Sequence, residues 1–211
     1  MDGNAVRVQS SWRYHSGMTN TPKIAIVLGT TREGRLGERI GSWALELANA
    51  RRDATYELVD LRDHPLPFFD SAQSPAFAPL ETPAAKRWSE RMAAFDGYVF
   101  VTGEYNHSIS GVLKNAIDHL YPELQRKPAT FIGYGGAGGV RAVEHLRLIL
   151  AELQVATLRF AVHVGRSELI GIMRDQKSLS DFPDTVTALT AALDELGWWT
   201  RTLQDGRARA A

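Results

Sequence analysis

Five times along the chain a short apolar run is followed by a stretch whose apolar residues recur at helical spacing, and that alternation leaves few folds open. The runs are residues 23–29, 55–61, 97–102, 128–134 and 155–164. Residues 97–102, GYVFVT, are apolar at both parities, as a strand covered on both faces must be. After the first run Ile40, Trp43, Ala44 and Leu47 share a helical face, and after the second Trp88, Met92 and Phe95 do. Leu113, Ile117, Leu120 and Leu124 follow the third, and Val143, Leu146, Leu150 and Leu153 the fourth. Val186, Leu189, Leu193 and Leu196 form the last stripe, behind Asp181-Phe182-Pro183. Strands separated by helices make a parallel sheet with right-handed crossovers.

Five such units fit the flavodoxin-like order 2-1-3-4-5, an α/β three-layer sandwich, better than the six-strand dinucleotide fold. A chain of 211 residues suits one domain of this kind. The expected bounds are 23–203, with a polar lead-in over 1–22 and a frayed tail over 204–211. His64-Pro65-Leu66-Pro67 opens a proline-bound loop, residues 71–81 read as a surface excursion, and Thr82-Pro83 is a helix start.

Composition narrows the chemistry. With 24 basic and 24 acidic residues, the chain lacks the basic excess of a nucleic-acid-binding domain. Without cysteine there is no disulfide, thiolate nucleophile or Cys-held metal. No run approaches the ~20 apolar residues of a membrane span, and residues 1–22 do not read as a signal peptide, so a cytoplasmic protein is expected.

In the order 2-1-3-4-5 the first, third and fourth strands are neighbours, so their loops form one crevice at the carboxyl edge of the sheet. The first loop, residues 29–37, is GTTREGRLG. Its hydroxyls, guanidinium groups and helix N-terminus suit a phosphate, although the P-loop spacing and lysine are missing. The plainer reading is a βα turn with solvated arginines. The middle loop carries Glu104, Tyr105, Asn106, His107 and Ser108, and either Ser108 or Ser110 can cap the helix behind it. The third holds a literal GxGxxG, Gly133-Tyr134-Gly135-Gly136-Ala137-Gly138. It follows the fourth strand, and no ribose-binding acid ends the next, so it reads as clearance for a flat ring rather than a dinucleotide fingerprint. The alternative is a turn that needs positive φ. The six histidines are scattered: His119 and Glu123 read as a solvated or interface pair, and no metal site is expected. The absence of GxSxG argues against a hydrolase.

Together these residues resemble the NAD(P)H-dependent FMN reductases, flavodoxin-like oxidoreductases that include quinone, azo-dye and chromate reductases. The resemblance covers roughly residues 23–165 and rests on GTTREGR and GEYNHSISGVLKNAIDHL, supported by DLRDHPLPFFD and the glycine run. It implies that Thr30, Arg32, Gly34, Arg35, Leu36 and Gly37 hold the FMN phosphate. It places Glu104, Tyr105, Asn106 and Ser108 along the isoalloxazine ring, with Tyr134, Gly135 and Gly136 at its edge. Four positions depart from the family pattern. Arg35 stands where a second serine is common, either strengthening phosphate binding or pointing to solvent, and Gly37 stands in place of asparagine. Gly103 and Ser110 replace prolines, from which a looser loop is expected, at ~0.4–1 kcal/mol per site.

The resemblance further implies hydride transfer from NADPH or NADH to flavin N5, then to free FMN, a quinone or a similar acceptor. The flavin carries the chemistry, so no catalytic side chain is required. Amides near Asn106 and Gly135 would favour the anionic reduced ring. A homodimer is implied, with a tetramer as the alternative; Lys114 and Asp118 read either as interface charges or as an ordinary i,i+4 surface pair. Arg141 and Arg166 are the candidates for a 2′-phosphate. Two rivals stay open: an FMN electron carrier without nucleotide turnover, which the neutral charge disfavours, and a protein that kept the fold without flavin.

Overall fold

The structure, a computed structural model, describes residues 21–210. Five strands, β1 (Lys23–Leu28), β2 (Thr55–Asp60), β3 (Gly97–Gly103), β4 (Pro128–Tyr134) and β5 (Ala156–Val164), form a parallel sheet in the expected order β2-β1-β3-β4-β5. Every residue of β3 and β4 is buried, which is why their sequences show no polar alternation. The helices are α1 (Gly37–Arg51), α2 (Pro83–Ala93), α3 (Gly111–Asp118), α4 (Val140–Glu152), α5 (Arg166–Arg174) and α6 (Pro183–Ala210).

Alternate side chains of each strand feed two cores. Ala25, Val27, Tyr98, Phe100 and Phe131 meet Trp88 and Met92 of α2, Leu113 and Ile117 of α3, and Val143 and Leu146 of α4. Ile24, Ile26, Leu28, Val99, Val101 and Ile132 meet Ile40 and Trp43 of α1, Ile172 of α5, and Leu189, Leu193 and Leu196 of α6. Trp88 Nε1 donates to the Ala116 carbonyl at 2.8 Å, joining α2 to α3 across the first core. The Thr82 hydroxyl caps α2 by accepting from the Ala85 amide at 3.1 Å, with Pro83 behind it.

Four expectations change. Residues 166–174 form α5, which the pattern did not reveal because only Gly171 and Ile172 are buried in it. The third stripe spans more than one element: α3 ends at Asp118, and Leu120 and Leu124 reach the core from the turns beyond. His119 and Glu123 therefore do not pair. His119 is buried with Nε2 at 3.0 Å from the Pro67 carbonyl, whereas Glu123 accepts from the Ser89 hydroxyl and the Tyr121 amide. Lys114 and Asp118 do pair, at 2.6 Å on the exposed face of α3.

The expected tail is helical. Arg207 of α6 donates to Asp96 and to the Arg126 carbonyl, both at 2.8 Å, and Asp96 also accepts from the Lys23 amide at 3.1 Å. Of the expected lead-in, residues 1–20 lie outside the described residues; the Pro22 carbonyl accepts from the Thr55 amide at 2.8 Å, adding one rung to the β1–β2 pair. Near that edge Lys127 is buried, with Nζ 3.0 Å from the Ala93 carbonyl, and burial brings its pKa down to about 8.

Candidate cofactor site

Because β1, β3 and β4 are adjacent, the loops that leave them converge. Main-chain bonds lace their roots: Gly29 N to Val101 O at 2.9 Å, Glu104 N to Tyr134 O at 2.9 Å, and Gly135 N to Val164 O at 3.3 Å.

The first loop is framed from β2. Arg35 is buried, neither solvated nor open to a ligand: its fork grips Asp60, with Nη1 at 2.7 Å from Oδ1, and it also donates to the Thr30 carbonyl. Burial pushes the Asp60 carboxyl up, but the Arg35 bond, the Arg62 amide and both positive charges outweigh it and hold it below the usual carboxylate range. Arg62 completes the frame, donating to the carbonyls of Thr31 at 3.1 Å and Arg32 at 2.7 Å. Within this frame Arg32 and Gly34 stand exposed. Leu36, the N-cap of α1, offers no side-chain acceptor to the first-turn amides. Uncapped amides beside an exposed guanidinium are what a phosphate requires.

Tyr134 links all three loops. Its buried hydroxyl lies 3.0 Å from the Thr30 hydroxyl, so that threonine faces inward rather than into the crevice. Burial raises the Tyr134 pKa. A Cβ at Gly37 would sit 2.9 Å from the Tyr134 hydroxyl oxygen, and one at Gly103 3.0 Å from the rings of Tyr105 and Tyr134. Glycine at both positions is therefore the counterpart of this tyrosine.

The middle loop is a tight hairpin. Tyr105 and Ser108 exchange amide-to-carbonyl bonds at 2.8 and 3.1 Å, and Asn106 and His107 occupy its tip at φ 49° and 75°. Positive φ at both tip positions matches a type I′ turn, for which asparagine is well suited. Ser110, not Ser108, caps α3: its hydroxyl accepts from Leu113 N at 3.2 Å and donates to the Gly29 carbonyl at 2.5 Å. The loop expected to be loose is thus tied to β1 by the residue that replaces proline. The Ser108 hydroxyl instead lies 3.0 Å from His145 Nδ1 of α4.

Glu104 is held by α4. Its side chain is 7 % exposed; it accepts from the Arg141 amide at 3.2 Å and pairs with the Arg141 guanidinium. Burial pushes this carboxyl up, but Arg141 and the α4 amides hold it below the usual range. Arg141 is thereby engaged, whereas Arg166 opens α5 exposed. The glycine run has two roles. A Cβ at Gly139 would sit 2.4 Å from the Tyr134 amide, so that glycine lets α4 close on β4, whereas one at Gly136 would meet nothing within 4 Å.

Arg32, Gly34, Asn106 and Gly136 are exposed and the first-turn amides of α1 have no side-chain cap, while the side chains of Thr30, Arg35, Glu104, Ser108 and Tyr134 have partners within the frame. Asp60 and Arg62 had no assigned role, although a carboxylate and a guanidinium at the end of a strand were the available signal. An exposed arginine at an uncapped helix start, together with glycine clearance on the loop after β4, fits a cofactor with a phosphate and a flat ring. No helix among the described residues is long and apolar enough to cross a membrane, and no group of three metal-binding side chains is present among them.

Residues 22–168 match the family described as NADPH-dependent FMN reductase. The chain is 34% identical over 154 residues to an NAD(P)H-dependent FMN reductase of Schizosaccharomyces pombe, covering 71% of this chain and 77% of that protein. It is 33% identical over 155 residues to a quinone reductase of Escherichia coli, covering 70% and 79%. Its fold resembles FerB, a flavoenzyme NAD(P)H:(acceptor) oxidoreductase from Paracoccus denitrificans, with TM-score 0.66 and 23% identity over 86% of this chain and 98% of that one. With its five-strand sheet and three-loop crevice, the chain belongs to the NADPH-dependent FMN reductase family and is an oxidoreductase of that class.

Proposed function

We propose that the crevice binds FMN, with its phosphate on Arg32, Gly34 and the amides of Gly37 and its neighbours, and its ring between Tyr105-Asn106 and Gly135-Gly136. The observation that carries this reading is an exposed Arg32 beside an α1 N-terminus without a side-chain cap. When bound, the flavin supplies the chemistry, accepting a hydride from NADPH or NADH and passing it to free flavin, a quinone or a similar acceptor.

The protein's part is to bind and orient. The Asp60–Arg35 and Arg62 contacts fix the loop carbonyls so that its amides face the phosphate. Tyr134 sets the spacing between the phosphate loop and the ring loops. The hairpin bonds hold Asn106 in its turn, and Glu104 keeps the third loop and α4 in register with the second. The sheet and its helices, from Pro22 through the end of α6, form the binding domain, and the working unit is a cytoplasmic homodimer.

Two measurements test this. Purified protein should oxidise NADPH or NADH with added FMN and a quinone under steady-state conditions; no turnover with either nucleotide would refute it. Arg32→Ala should weaken FMN binding about 10–150-fold, the equivalent of about 1.5–3 kcal/mol for a bond to a charged group, and an unchanged dissociation constant would remove Arg32 from the site.

A further inference from the structure

We propose that His107 donates the proton that a quinone-type acceptor takes up together with its hydride, and that His145 and Ser108 position it. This rests on the flavin reading above.

The nicotinamide and acceptor halves of the cycle differ in their need for acid. Hydride transfer to the oxidised flavin requires no protein proton. Reduction of a quinone to a hydroquinone takes up one hydride and one proton. The hydride comes from the reduced flavin, which returns to its oxidised form. The proton comes from the His107 ring, whose N–H bond breaks as an O–H bond forms on the acceptor. Solvent then reprotonates the ring.

His107 shares the hairpin tip with Asn106 and is exposed there. Its ring centroid lies 5.9 Å from that of His145, at an interplanar angle of 57°. His145 is itself exposed on α4, and its Nδ1 is 3.0 Å from the Ser108 hydroxyl. A hydroxyl can donate or accept, so Ser108 serves either protonation state of that ring. The same bond ties the hairpin to α4 and holds the second imidazole beside the first.

Several other titratable groups near the hairpin have partners of their own. Glu104 of the loop pairs with Arg141 of α4, and Glu144 of α4 with Arg147 at 3.3 Å. His163 of β5 has Nδ1 3.1 Å from the Gly138 carbonyl. Tyr105, in the hairpin itself, is the remaining acid there. Among these side-chain types only imidazole ordinarily changes charge between pH 5 and 8.

The test compares wild type, His107→Gln and His145→Gln, each loaded with FMN, in anaerobic half-reactions. Reduction by the nicotinamide comes first; if neither nucleotide reduces the wild type, the flavin-reductase reading fails and this proposal with it. Where reduction occurs, His107→Gln should slow the quinone step about 100-fold near neutral pH and flatten its fall with rising pH. Ferricyanide, which takes one electron and no proton, should be reduced within about twofold of wild type. His145→Gln should shift the midpoint of the quinone profile without removing it. Histidine ring NMR of the wild type, which needs no variant, should show His107 resonances moving when a hydroquinone is added. A quinone pH profile unchanged in His107→Gln, an equal loss with ferricyanide, or His107 resonances indifferent to hydroquinone would each overturn the proposal.

Discussion

Replacing Asp60 with alanine tests whether the phosphate loop is held by a buried charge or merely decorated with a surface pair. The Arg35 side chain is 1% exposed and that of Asp60 18%, and the carboxylate takes both arms of the guanidinium. One donor of the arginine, Nε, already lacks a partner, so without Asp60 only the Thr30 carbonyl is left hydrogen-bonded to the fork, with Glu38 3.8 Å away. Leaving such a charge uncompensated costs about 3–5 kcal/mol, against about 0–1 for an exposed pair. Urea unfolding at neutral pH should therefore show Asp60→Ala less stable by about 3 kcal/mol or more. Arg35→Met/Asp60→Ala, which removes the charge as well, should recover much of that loss. The pH dependence has a defined sign. Asp60 has a folded pKa held below its unfolded one, so its contribution is complete above the unfolded value, about 3.9, and fades as pH falls through the folded value. The stability gap between wild type and Asp60→Ala should accordingly shrink only in acid. A single-variant loss below about 1 kcal/mol, or a double variant less stable than the single, would refute the buried-pair account.

The other expectations are briefer. Gly37→Asn, the residue common in the family, should lose about 1–3 kcal/mol to overpacking against the Tyr134 and Thr30 hydroxyls, and thermal unfolding should show relief when Tyr134→Phe is added. Ser110→Ala should cost about 0.5–2 kcal/mol as a lost N-cap and remove the bond to the Gly29 carbonyl, read by urea titration and by faster amide exchange in the hairpin. For Lys127, the unfolded side chain titrates near 10.4 and the buried one near 8, so between those values the unfolded state binds more protons and wild-type stability rises with pH. Measured against Lys127→Met, that rise should be about 1.4 kcal/mol per pH unit at most; a pH-independent difference would contradict it.

The architecture was legible because apolar periodicity is a local property. The period switch between Ile24–Leu28-type runs and Ile40-Trp43-Ala44 stripes dictates strand or helix without reference to distant residues. The site was legible in position, since strand order alone brings the three loops together. What each side chain does there was not. Thr30, Arg35 and Glu104 carry groups a phosphate or a flavin would accept, and all three are consumed by partners that lie far along the chain: Tyr134, Asp60 and Arg141. A polar residue's partner is set by tertiary geometry, so residue type cannot separate a ligand contact from the brace behind it. The glycines had the same ambiguity: Gly37 and Gly103 are small because of Tyr134, and Gly136 faces open space. The short α5 escaped notice because it buries too little for a period to register.

The Asp96 junction decides where this protein can be cut or extended. The last turns of α6 reach the edge of the sheet where β1 and β3 begin, the opposite end from the three ligand loops, and Asp96 there binds Arg207, Gln204 and the Lys23 amide together. Shortening the chain at residue 203 would strip that carboxylate of two partners and free the Arg126 carbonyl as well. Keeping α6 intact through Ala210 leaves the junction whole, at the end of the sheet away from the crevice.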